Sequence, residues 1–190
     1  MPESDAVAVA RAQAGDPDAF RDLVDRHSRR IYRLAFRMTG NAQDAEDVVQ
    51  EALLRAYKQL DRFESRANFG TWLHRITVNC SIDLMRARPR REEGQDEEAL
   101  ETMAIPQGTN GPERLALSAE IQARVTDAMD RLSPMERAAF TLRHYEGMSI
   151  DEIGRALNLR TNATKHSIFR AVRKMRVALE PFVTAGGRSS

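Results

Sequence analysis

Between Ile153 and Leu179 the chain carries seven Lys/Arg and no Asp/Glu, although over its whole length the two classes nearly balance, 29 against 28. Positively charged donors spaced along one stretch suit phosphate neutralisation and base-edge contacts. With residues placed at about 100° intervals around a helix, Ile168, Val172, Met175 and Leu179 form one apolar stripe. Ala163, His166, Ser167, Arg170, Arg173 and Lys174 fall on the far side. Arg170, His166 and Ser167 are then candidate base-edge contacts, and Lys165, Arg160 and Arg173 candidate phosphate contacts. Thr161 and Asn162 stand at the helix start, where free backbone N–H groups favour a phosphate. The competing reading is an ordinary basic surface helix.

Two further faces combine polar chemistry with helical spacing. Along residues 68–87, Phe69, Ile76, Cys80 and Leu84 share an apolar stripe, while Arg75, Asn79, Asp83 and Arg86 cluster to one side. Trp72, the only tryptophan, lies on the border between them. It either stacks on an unpaired base or covers the edge of a small core. Along residues 42–59, Asp44, Asp47 and Glu51 recur at i, i+3 and i+7, with Glu46 and Gln50 beside them and Val49, Leu53 and Tyr57 opposite. An acidic stripe repels DNA, so it is either a solvated face or a dock for a basic protein surface.

Enzymatic chemistry finds no residues to carry it. The sequence has no nucleophile–base constellation and no phosphate-binding glycine loop, so no catalytic role and no cofactor is expected. Cys80 is the single cysteine, and His27, His74, His144 and His166 are too scattered for a metal-ligand pattern.

The elements that must position these faces are helices throughout. Asp16-Pro17 is an N-cap and first-turn proline for a helix with apolar positions Phe20, Leu23, Val24, His27, Ile31, Leu34, Ala35 and Met38, ended by Gly40. Asn41 caps a second helix with core positions Val48, Val49, Ala52, Leu53, Ala56, Tyr57 and Leu60. After the polar loop 61–67, Asn68 caps a third helix running to about Ala87. Pro112 opens a fourth, with Leu117, Ile121, Val125, Ala128 and Met129 along it. Ser133-Pro134-Met135-Glu136 and Ser149-Ile150-Asp151-Glu152 are capping boxes for two more. The second of these leads through the turn Asn158–Thr161 into the basic helix, the sequence form of a helix-turn-helix. No run shows the sustained alternation of a strand. The prediction is an all-α chain of two small helical domains, 1–88 and 113–190, joined by a flexible linker over 89–112 that is broken by Pro89, Gly94, Pro106, Gly108 and Gly111.

Charge follows the same partition. Residues 1–87 hold thirteen Lys/Arg and thirteen Asp/Glu, residues 88–120 four and eight, and residues 121–190 twelve and seven, so the net +1 conceals segments at 0, −4 and +5. No apolar run reaches the roughly 18 residues of a membrane span. Glu3 and Asp5 stand where a signal peptide would be basic, and a cytoplasmic protein is expected.

The run Asp44-Ala-Glu-Asp-Val-Val-Gln-Glu51, then Phe69-Gly-Thr-Trp-Leu-His-Arg-Ile76 with Asn79, Asp83 and Arg86, then the helix-turn-helix, resembles the extracytoplasmic-function (ECF) sigma factors of bacterial RNA polymerase, in the sigma-70 family. The resemblance covers about residues 10–88 and 113–179, in order. It implies sigma region 2 and sigma region 4 without the intervening domain of larger sigma factors. Asp44, Asp47, Gln50 and Glu51 would dock on the polymerase clamp, and region 4 on its flap. Loop 61–68, with Asn68, Trp72, Arg75, Asn79, Asp83 and Arg86, would bind and help melt the −10 element. The basic helix would read the −35 element through Arg160, Thr161, Asn162, Lys165, His166, Ser167, Arg170 and Arg173. The implied partners are core RNA polymerase, promoter DNA and an anti-sigma factor that could hold the protein at a membrane. Where the family often has glycine-threonine-valine-lysine-serine-arginine, this chain has Asn162-Ala-Thr-Lys-His-Ser167, so a relative's −35 preference does not transfer. Two other readings stand beside it: a stand-alone helix-turn-helix repressor or activator, and an adaptor whose acidic stripe is its main surface.

Overall fold

A computed structural model describes residues 4–64, 68–87 and 112–186, and every described element is helical. The chain divides into two compact units, within 1–91 and 92–190. The predicted linker lies almost wholly outside the described residues, as do positions 65–67 of the polar loop.

The first unit contains α1 (Asp5–Gln13), α2 (Pro17–Thr39), α3 (Ala42–Gln59), a 3-10 turn (Leu60–Arg62) and α4 (Phe69–Ala87). The Asp16 carboxylate accepts from the Asp18 and Ala19 N–H groups at 3.0 and 3.3 Å, and Pro17 occupies the first turn of α2. Gly40 ends that helix in the left-handed region at φ 86°, where a Cβ would be strained. α2, α3 and α4 pack around Leu23, Ile31, Ala35, Val48, Ala52, Leu73 and Ile76. α4 is buried well beyond the single stripe read from its sequence: Leu73, His74, Thr77, Val78, Ser81 and Ile82 are buried as well. The small hydroxyls fit because Thr77 and Ser81 donate to the carbonyls of Leu73 and Thr77, each at 2.9 Å.

α1 has no counterpart among the helices expected from the sequence. Its buried apolar side is only Ala8 and Val9, too short a pattern to read. Polar contacts fix it: His27 Nε2 lies 2.8 Å from an Asp5 carboxylate oxygen and Arg26 Nη1 3.3 Å from the other. Gln13 Nε2 donates to the carbonyls of Leu60 and Phe63 at 2.9 and 3.0 Å, pinning the chain as it leaves α3.

The second unit contains α5 (Pro112–Asp130), α6 (Pro134–His144), α7 (Ile150–Leu157) and α8 (Thr161–Gly186). Both predicted capping boxes form reciprocally, through Ser133 with Glu136 and Ser149 with Glu152. α8 packs against α5, α6 and α7, with Ala128, Met129, Leu132, Ala171 and Met175 forming one core cluster. Arg137 is buried in α6, and its guanidinium Nη1 donates to Asp130 at 2.8 Å. That pair ties the end of α5 to the start of α6.

Candidate nucleic-acid interface

α7, its turn and α8 build the helix-turn-helix. Asn158 ends α7 in the left-handed conformation at φ 53°, which asparagine tolerates better than most side chains. A Cβ on Gly154 would lie 2.9 Å from the Leu159 carbonyl oxygen and 3.3 Å from the Thr164 hydroxyl, so the two helices meet where one has no side chain. That approach sets the rotation of α8. Its buried side is Thr164, Ser167, Ala171 and Met175, while Ile168 and Val172 are half-buried.

The buried stripe is therefore turned away from the one centred on Ile168, because close approach selects small residues and leaves the larger aliphatics at the flanks. Ser167 is 3% exposed, and the structure removes it from the base-contacting set. Arg160, Thr161, Asn162, Lys165, His166, Arg170 and Arg173 are all exposed. With them stands Phe169, 65% exposed, one turn from both Lys165 and Arg173. Helical projection places Phe169 about 100° from Ile168, outside the apolar stripe, which is the signal that marks it. An exposed ring among basic side chains can make apolar contact with a thymine methyl while its neighbours hold phosphates.

On α4, Arg75, Asn79, Asp83 and Arg86 are exposed together. Asn68 is exposed too, and its side-chain oxygen accepts from the Thr71 N–H at 3.1 Å at the start of the helix. Trp72 is half-buried, its ring centroid 4.8 Å from Phe63 and 5.7 Å from Phe69. The indole thus packs on the core edge while part of it reaches the surface beside Arg75. Asp83 would repel a nucleic acid on its own, but Arg55 Nη1 donates to it at 3.1 Å. Arg55 Nε also donates to Glu51 at 2.6 Å, so one guanidinium on α3 joins the acidic stripe to the α4 face.

The acidic stripe is narrower and more apolar than expected. Asp47 and Gln50 are exposed and Glu51 is half-buried. Asp44, by contrast, is 4% exposed. Its carboxylate accepts from Asn41 Nδ2 at 2.8 Å while its N–H donates to the Asn41 side-chain oxygen at 2.8 Å. The structure thus turns Asp44 away from the docking face: its carboxylate holds the side chain of Asn41, the N-cap of α3. Tyr57, expected in the core, is 60% exposed and meets Phe20 edge-on at 5.0 Å. Leu54, two turns beyond Asp47, is 46% exposed. Exposed large apolar residues beside carboxylates suit a protein partner better than a solvated face does.

Cys80 is buried, and loss of solvation pushes its thiol up to about 11, so it stays neutral and inert as a core group.

A helix-turn-helix with an exposed basic helix in one unit, and an acidic and apolar stripe in the other, together define a DNA-binding protein that also engages a protein partner. Residues 23–91 match the family Sigma-70 region 2, and residues 122–175 match Sigma-70, region 4. The chain is 35% identical to the RNA polymerase sigma-H factor of Pseudomonas aeruginosa, over 95% of this chain and 96% of that one. It is 34% identical to the ECF RNA polymerase sigma-E factor of Escherichia coli K12, again over 95% and 96%. The solved structure of CnrH in complex with the cytosolic domain of CnrY is similar at a TM-score of 0.65 and 28% identity, over 94% of this chain and 99% of that chain. The chain belongs to the ECF sigma factors of the sigma-70 family. It is a transcription initiation factor that binds core RNA polymerase and directs it to promoter DNA, and its family is one of initiation factors rather than enzymes.

Proposed function

We propose that the surfaces divide promoter work between them. The outer face of α8 reads the −35 element: Arg170 and His166 at base edges, Phe169 at a thymine methyl, and Arg160, Lys165 and Arg173 on phosphates, with Thr161 and Asn162 at the helix start. Asn68, Trp72, Arg75, Asn79, Asp83 and Arg86 receive the −10 element and the opened strand. Asp47, Gln50 and Glu51, extended by Leu54 and Tyr57, dock on the polymerase clamp, since an acidic stripe calls for a basic surface on its partner. The domains are region 2 over 1–88 and region 4 over 113–190, with the acidic segment 89–112 as linker. Nucleotide addition is left to the polymerase, and the work is done in the cytoplasm. The remaining partner is an anti-sigma factor; CnrH, to which the chain is similar, was solved in complex with the cytosolic domain of CnrY. No helix among the described residues is long and apolar enough to cross a membrane.

The observation that carries this reading is the exposed face of α8, where Lys165, His166, Phe169, Arg170 and Arg173 stand together on the second helix of a helix-turn-helix. Purified protein mixed with core polymerase should start transcription at a selected promoter, and neither component alone should do so. Equal promoter affinity with and without polymerase would instead favour a stand-alone repressor.

A further inference from the structure

We propose that Glu136, on α6, is a positioning residue for −35 recognition, holding Arg170 and Lys174 of α8 on one buried carboxylate; the inference rests on the assignment of Arg170 to base reading. The Glu136 side chain is 6% exposed. One of its oxygens accepts from the Ser133 N–H at 2.9 Å and from Lys174 Nζ at 2.6 Å. The other lies 3.5 Å from Arg170 Nε, at ion-pair distance.

The capping box alone does not require a charge, because a glutamine at this position would accept the same backbone hydrogen bond. Burial opposes ionisation of Glu136, but the hydrogen bonds from Lys174 and the Ser133 N–H prevail and hold the carboxyl below its ordinary range. A charge is therefore kept where it costs solvation, facing the two cations of the DNA-reading helix. Arg170 is otherwise free in solvent, its side chain 64% exposed. A carboxylate engaging Nε restrains the guanidinium while leaving both Nη groups for a paired contact to a base edge. Ordering the side chain before DNA arrives reduces the entropy lost on binding, and it does so selectively for the base pair that this fork fits.

Electrostatics makes the opposite prediction, which separates the two accounts. Removing a negative charge beside DNA should tighten binding to every sequence alike. Loss of positioning should weaken discrimination at one base pair and leave non-specific affinity no lower.

The test uses full-length protein in holoenzyme, with a set of promoters carrying each substitution in the −35 element. Glu136→Gln keeps the cap and removes the charge; Glu136→Asp keeps the charge and withdraws it from Arg170. Both should reduce the preference at the base pair read by Arg170 by about threefold to tenfold, a fraction of a full base contact. Neither should add to the loss already caused by Arg170→Ala. If Arg170→Ala relaxes one position while both Glu136 variants retain parental discrimination, or weaken all promoters equally, positioning is overturned and base reading survives. An Arg170→Ala profile identical to the parent would overturn base reading and this inference with it. Matched circular dichroism melts identify any variant that acts through misfolding, and the other variant then decides.

Discussion

Asp44 and Asp47 sit three residues apart on α3 with the same side chain and opposite circumstances. Asp44 is turned back onto Asn41 and buried, whereas Asp47 is exposed on the side that carries Gln50 and Leu54. Asp44→Ala removes the carboxylate that accepts from Asn41 Nδ2 and should therefore lower the stability of the first unit by about 1 kcal/mol, the usual value of one side-chain hydrogen bond, and leave the docking surface intact. Asp47→Lys should do the reverse, weakening co-purification with core polymerase at unchanged melting temperature. Thermal melts and pull-down of both variants decide between them: a polymerase defect in Asp44→Ala without loss of stability would return Asp44 to the interface. Spacing marks both residues as acidic positions one turn apart, and only the cap geometry distinguishes them. Ser167 and Phe169 make the same point on α8, where a polar residue is buried and an aromatic one exposed.

At the scale of the element, the second unit depends on helix starts. α6 has eleven residues and α7 eight, lengths at which an isolated helix does not hold in water, so caps and packing must supply what length does not. Each begins with a serine whose hydroxyl accepts from the glutamate N–H while the glutamate carboxylate accepts from the serine N–H. For Glu152 the hydrogen bonds to Ser149 hold the carboxyl below its ordinary range. Glu136 reaches the same state against the opposing effect of burial, through Lys174 and Ser133. A carboxyl whose folded value is depressed contributes fully above its unfolded value and loses that contribution as pH falls through the folded one. The melting temperature of the second unit should therefore be flat near neutrality and fall as the pH drops below about 4. Glu136→Gln should flatten part of that fall. A melting temperature independent of pH between about 5 and 3 would show that these carboxylates contribute nothing.

At the scale of the molecule, each unit has its own core and its own surface task. The single tryptophan, Trp72, lies in the first unit among Phe63 and Phe69, so its fluorescence reports that unit alone. Helical circular dichroism reports both. Gly154→Ala puts a methyl group against the Leu159 backbone, which cannot rotate aside, and should lower the stability of the second unit by roughly 1 to 3 kcal/mol. The dichroism transition should then begin at lower temperature while the Trp72 emission midpoint stays where it was. Coincident shifts by both probes would mean that the chain unfolds as one cooperative body.

The sequence by itself determined every helix but α1, together with the caps, the turn and the family. These depend on local signals: Asp16-Pro17, Asn41, Asn68, the two Ser-x-x-Glu boxes, and a period that separates apolar from charged positions. It also placed Arg75, Asn79, Asp83 and Arg86 on one surface, where the structure leaves all four exposed. Tertiary structure decided what periodicity does not carry. α1 is held by Asp5 and Gln13 through contacts distant in sequence. α8 is rotated by its contact with Gly154, so that Ser167 turns inward and Phe169 stays in solvent. Asp44 becomes the buried support of the Asn41 cap, Tyr57 a surface ring, and Glu136 a buried carboxylate shared by two cations of another helix. A helical wheel gives the angle between residues on one helix, but the zero of that angle is set by the neighbour, and a neighbour is a property of the fold.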